Sequence, residues 1–183
     1  MALWVVLGLL ALLILIAVSL YNSLVGLRIR ASETWSDIET QLKRRHDLIA
    51  NLVETVKGYA AHERGVLEKV TEMRSRAMSA NTPAQAAQAE GMLAQALRGL
   101  YAVAENYPDL KANQNFLSLQ QSLAETENAI ASSRRSYNAV VRDLNTRIQT
   151  VPSNIVAGMF GFQPREFFEV EEAGDRAVPQ VRF

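Results

Sequence analysis

The chain contains no cysteine, and its 19 basic residues are matched by 19 acidic ones. The missing thiols remove disulfides, thiolate metal sites and a cysteine nucleophile, and suit either side of a membrane. The balanced charge argues against nucleic acid as a partner, because such binders carry a basic excess. Histidine occurs only at His46 and His62, sixteen residues apart. Two ligands at that separation on one helix cannot share a metal. Neither stands in the Glu-x-x-His or His-Glu-x-x-His pattern of metal-binding helices, so both are read as surface or interface residues. Phosphate loops, nucleophile elbows and Ser/Lys dyads are also missing. Gly158 to Gly161 is a helix stop, and Glu125, Glu127, Glu169, Glu171 and Glu172 read as solvated faces. The expectation is a protein that is not an enzyme and needs no cofactor or metal. Glycine and proline number only 9 and 5 and are clustered, and period-two runs of β-branched residues are lacking. The chain is therefore predicted to be all-α.

What the chain does have is an apolar run from Ala2 to Leu20, with no charged side chain before Arg28. At about 1.5 Å per residue, roughly 20 apolar residues span a hydrocarbon core of about 30 Å. Trp4 and Tyr21 stand near its ends like interfacial anchors. The rival is a cleaved secretory signal, for which Ala17-Val18-Ser19 offers a small-residue cleavage site. Against it, nothing basic precedes the run, which exceeds the usual apolar region of about 7–15 residues. Arg28, Arg30, Lys43, Arg44 and Arg45 follow the span, and the positive-inside rule places the rest of the chain in the cytoplasm. The lipid bilayer is thus the first expected partner.

After the span, a heptad starting at Leu24 runs through Ala31, Trp35, Ile38, Leu42, Ile49, Leu52, Val56, Tyr59, Val66, Val70, Met73 and Ala77. Arg28, Arg45 and Glu63 interrupt it. This period predicts one helix continuing from the anchor to about Ala80, with Gly58 and Gly65 lowering propensity without a break. Thr82 is positioned to cap a second helix beginning at Pro83, with a seam of Ala86, Leu93, Leu97, Leu100 and Ala104. Pro108 marks the next hinge. A third helix then carries Phe116, Leu123, Ile130, Tyr137, Leu144 and Val151 at every seventh position, with Thr126 and Ser133 narrowing the alternate seam. Pro152 stops it, and Ser153 is read as the cap of a short fourth helix closed by Gly161.

The reading is one transmembrane helix (1–21) continuing into an elongated antiparallel three-helix bundle with a short fourth helix (22–161), then an irregular tail (162–183). Because the second helix is shorter than the first, part of the first-helix seam is expected to lie uncovered, which would drive self-association into a homo-oligomer. Arg45, Glu63, Asn138 and Asn145, with Asn51, are candidates for interhelical polar contacts. Arg134 and Arg135 flank the third seam, and snorkelling to solvent is the alternative for such long charged side chains. Phe160, Phe162, Phe167 and Phe168 form an aromatic group beyond the regular seams. It either closes the chain's own core or offers a docking surface to a neighbouring subunit or the membrane interface.

Long strings resemble the LemA family. They include Trp35-Ser36-Asp37-Ile38, Gln41 to Ile49, Asn51 to Tyr59 and Tyr107 to Asn113 with Phe116 and Leu119-Gln120. Glu127-Asn128, Ile130, Arg134-Arg135, Tyr137-Asn138 and Asn145 agree, as does the ending from Gly161-Phe162 through Phe167-Phe168-Glu169 to Pro179, Val181 and Phe183. Ala50 departs from the proline common there, so the helix should pass straight through it. The resemblance implies a bacterial protein with one N-terminal membrane span and an elongated helical domain, and the reading places it in the inner or plasma membrane. It carries over no catalytic or binding residue. The function expected is a non-catalytic scaffolding module that self-associates at the membrane. The alternatives are a monomeric adaptor for another membrane protein, such as a protease or envelope-stress component, and a hydrolase with a metal site between subunits.

Overall fold

A computed structural model describes residues 1–169 and is all-helical over that range, with no strand among the described residues. Its helices are α1 (Ala2–Lys57), α2 (Arg64–Met78), α3 (Pro83–Ala104), the single turn α4 (Pro108–Lys111), α5 (Gln114–Gln149) and α6 (Ser153–Met159). α1 passes unbroken through Ala50. Of the expected tail, residues 162–169 have no regular structure, and the rest lies outside the described residues. The chain divides into two compact units. One comprises Met1–Asp37 and Ser133–Glu166, and the other Ile38–Ser132 with residues 167–169.

In the first unit, the anchor run is exposed over residues 2–19, and α1 is long and apolar enough to cross a membrane. The same helix enters a packed environment just past that run. Leu24 and Ala31 are fully buried, and Leu24 joins Leu144, Val156, Ala157 and Phe162 in a core that Leu20, Tyr21, Val25, Leu27 and Ile148 flank. α6 supplies Val156 and Ala157 to that core. Its C-terminus closes with Phe162 N–H donating to Ala157 O (2.9 Å) and Gly161 N–H to Gly158 O (3.4 Å). This paired closure requires a left-handed residue, and Gly161 takes it at φ +67°. Ser153 does not cap α6 as expected. It is the first helical residue, and its hydroxyl donates backwards to Thr150 O at 3.0 Å. Val151, placed on the third seam by its spacing, is instead 78% exposed because α5 ends two residues earlier.

The second unit is built on Ile49, Leu52, Val56, Val70, Met73, Leu93, Leu97, Leu100, Leu110, Phe116 and Leu123. Burying each such side chain contributes about 1.5–3 kcal/mol. Thr82 caps α3 as its position predicts, accepting from Gln85 N–H at 3.3 Å, with Pro83 in the first turn. A cap the sequence reading missed is Asn113. Its Oδ1 accepts from Phe116 N–H at 3.0 Å, separating α5 from the turn at Pro108. The narrow seam position Thr126 is buried and satisfied, its hydroxyl donating to Ser122 O at 2.8 Å.

The expected continuous helix to Ala80 is corrected here: it ends at Lys57 and resumes at Arg64. Gly58 makes the break inexpensive, and the last turn tightens as Tyr59 N–H bonds to Val56 O (3.0 Å). The interruption shifts the seam only locally, since Val70, Met73 and Ala77 stay buried where the heptad places them. Tyr59, assigned to the core by the heptad, is 44% exposed, and its neighbour Ala60 is fully buried. Across the break Leu67 is buried while Val66 is half-buried, and α2 packs against α3. A straight helix would have carried Glu63 into the seam. The break leaves it half-buried, accepting from the Tyr107 hydroxyl at 3.3 Å. A second correction concerns the uncovered seam. Leu24, Ala31, Ile38, Leu42, Ile49, Leu52 and Val56 are all buried within the chain itself.

Candidate functional site

In the second unit, two consecutive α1 residues meet the single acidic residue of α3. Glu90 is 2% exposed. Its Oε2 accepts from Arg45 Nη1 at 3.1 Å, and its Oε1 lies 2.6 Å from His46 Nε2. A carboxylate can only accept, so Nε2 is the protonated nitrogen of the imidazole. Arg45 also reaches the exposed Glu127 at 3.3 Å. His46 is thus buried rather than at the surface, and its carbonyl accepts from Arg74 Nε at 2.7 Å, tying α2 to α1. His62 is exposed. The Tyr101 phenol is held above its ordinary value mainly by burial, with the Arg45 charge opposing.

Buried charges persist only when paired and hydrogen-bonded, and here both Glu90 oxygens are engaged. Glu90 was not singled out from the sequence, although a signal was available. The α3 seam of Ala86, Leu93, Leu97, Leu100 and Ala104 steps over position 90, where alternate spacing by four and three puts a core residue. A lone carboxylate at a core position, opposite an arginine that interrupts its own seam, is the pattern of a buried ion pair. The arrangement is closed and mutually satisfied. No group of three or more His, Asp or Glu suited to a metal occurs among the described residues.

The other polar candidates act on the backbone. Asn145 holds Arg165 at two points, donating from Nδ2 to its carbonyl (2.9 Å) and accepting from its N–H at Oδ1 (2.9 Å). One helical face further along, the Tyr137 hydroxyl donates to Glu166 O at 2.9 Å while its ring stacks obliquely on Trp35 at 5.4 Å. Burial raises the Tyr137 phenol above its ordinary value of 10.0, the Arg165 charge opposing and Glu166 reinforcing. These side chains fix residues 165 and 166 against α5. Asn138 is half-buried beside them, and Asn51 is exposed. Arg165 Nη2 also donates to Ser32 Oγ at 2.8 Å, at the edge of an open groove lined by Arg28, Ile29, Ser36 and Glu33.

The four phenylalanines do not form one exposed surface. Phe162 and Phe168 are buried in the chain, at 7% and 0% exposure, and Phe167 is half-buried. Of the two readings of this group, closure of the chain's own core is the one that the burial of Phe162 and Phe168 fits. Phe160 alone is open, at 59%. Its ring lies 4.7 Å from Tyr21, which also meets Phe162 edge-on at 5.9 Å, and Arg28 stands over the Phe162 ring at 5.1 Å. Burial and ring contact join Phe160 and Phe162 to the turn of α1 where the apolar run ends.

Comparison with known proteins adds a family match and several relatives. The model of the LemA family matches residues 34–183. Magnetosome protein MamQ 2 of Paramagnetospirillum magneticum is 26% identical over 189 residues, covering 88% of this chain and 70% of its own. MamQ of Magnetospirillum gryphiswaldense is 25% identical over the same shares. Protein LemA of Metamycoplasma hominis is 26% identical over 136 residues, covering 74% of this chain and 62% of its own.

Proposed function

The chain belongs to the LemA family, and on that footing we propose that it is a non-catalytic interaction module held at a bacterial membrane by residues 2–20. The observation that carries this reading is the passage of α1 from a fully exposed apolar run into a packed helical core without a break. Exposed apolar side chains over a bilayer's thickness are unfavourable in water and favourable in lipid. The exposed Arg28 and Arg30 follow the run, and they favour the helical domain on the cytoplasmic side. In this reading the helices after the anchor pack as an antiparallel bundle, with short connections folding α2 back onto α3.

Self-association was expected from an uncovered first-helix seam, and that ground is gone because the seam is buried. What the domain presents beyond the membrane is mainly the polar outer face of its helices. Such a surface suits recognition of another membrane-associated protein, as an adaptor. The buried, mutually paired Arg45, His46 and Glu90 support a structural rather than a catalytic use of this charge cluster. A test is the native mass of the protein extracted in mild detergent after crosslinking in its own membranes. One copy with a stoichiometric second protein is expected. A discrete multiple of the chain with nothing else bound would overturn the adaptor reading in favour of self-assembly.

A further inference from the structure

Outside the anchor, large apolar side chains left open to solvent concentrate on one short element. Ile155 and Met159 are 61% and 76% exposed, one helical turn apart on the outward face of α6, with Val151 (78%) before them and Phe160 (59%) after. The opposite face of α6 is committed to the core through Val156 and Ala157. From Ile148 to Pro164 the sequence contains no charged residue. A solvent-facing helix is normally covered by charge, so an uncharged one displaying Ile, Met and Phe is not built to face water.

Its position says what it is built to face. Phe160 packs on Tyr21 at 4.7 Å, and Val156 and Ala157 share a core with Leu20, Tyr21 and Val25. Those α1 residues are where the apolar run of the anchor gives way to Asn22 and Ser23. α6 is therefore seated at the level at which α1 would leave the hydrocarbon. Cations stand close by. Arg28 lies over Phe162, and Arg147 contacts the Ser23 hydroxyl from α5. Aromatic rings, open aliphatic side chains and arginines at one level are the chemistry of the headgroup and acyl boundary.

We propose that α6 is a second membrane contact, lying in the interface beside the anchor with Ile155, Met159 and Phe160 inserted among the lipid chains. The inference rests on the reading of residues 2–20 as a membrane anchor and extends it. One protein–lipid contact becomes two, which fixes the rotation of α1 about its own axis as well as its depth. The four open side chains then need no protein partner.

The chain's lack of cysteine makes the test direct. Single variants Ile155→Cys, Met159→Cys, Leu13→Cys and Gln88→Cys of the full-length protein are spin-labelled and reconstituted in vesicles of phosphatidylcholine and phosphatidylglycerol. Collision rates with oxygen, which concentrates in lipid, and with a water-soluble nickel complex are then compared. Labels at 155 and 159 are expected to behave like Leu13, with oxygen dominating, while exposed Gln88 on α3 shows the reverse. Nickel-dominated collision at 155 and 159 with Leu13 still in lipid would overturn the inference and leave the anchor standing. Shielding of 155 and 159 from both reagents would also overturn it, by showing that protein covers α6. Nickel access at Leu13 would remove the anchor reading and the inference with it.

Discussion

Glu90 has an arginine on one oxygen and a histidine on the other, and almost none of it is reached by water. Removing one partner of such a group strands the others in a medium that cannot solvate them. Glu90→Ala is expected to cost about 3–5 kcal/mol, read from denaturant unfolding followed by circular dichroism. The double replacement Arg45→Met with Glu90→Met should cost less than Glu90→Ala, because it removes the charges together. An equal loss in both would contradict the pairing. A second residue-scale expectation follows from Tyr137, whose phenol is raised above 10.0 chiefly by burial. A raised acid favours the neutral form in the fold. Its contribution is fully present below the unfolded value and is lost as pH rises through the higher folded one. The unfolding midpoint should therefore fall as pH is raised from about 9 to about 11, and less steeply in Tyr137→Phe. At this scale the sequence places both Arg45 and Glu90 at core positions but does not say that they meet, since contacts between α1 and α3 depend on how the chain folds back.

The helices show why periodicity is informative and where it stops. Thr82, Pro83, Pro108 and Gly161 each mark a boundary because their chemistry is local: a side-chain acceptor, a fixed φ, a left-handed residue. Thr82→Ala should cost about 1 kcal/mol through loss of the α3 cap. Gly161→Ala should cost about 1–2 kcal/mol, because alanine is strained at φ +67°. Thermal unfolding of the two variants checks both. The break between α1 and α2 was not legible. Gly58 permits it at low cost, but the packing of α2 on α3 and the burial of Ala60 make it favourable, and neither is encoded in a heptad. The same limit hid the cover over the first-helix seam. Residues spaced for burial reveal that a face will be covered and not by what, and here the cover comes from the chain itself.

At the scale of the molecule, the apolar run was the plainest feature of the sequence, and it remains the most exposed apolar surface of the fold. It stands beside an interior in which Leu24, Ile49, Leu52, Leu93 and Leu100 are fully buried. A chain that buries its seams so completely and leaves the apolar run over residues 2–19 in the open is arranged for two solvents. Sidedness and partner were not readable from that contrast, because both depend on surfaces whose chemistry is polar and unspecific. The most direct test is to wash bacterial membranes carrying the protein with alkaline carbonate and map its N-terminal peptides by mass spectrometry. The protein should stay in the membrane pellet with residues 2–20 retained. Release into the wash, or a mature chain beginning after Ser19, would contradict an anchor and make the apolar run a cleaved signal.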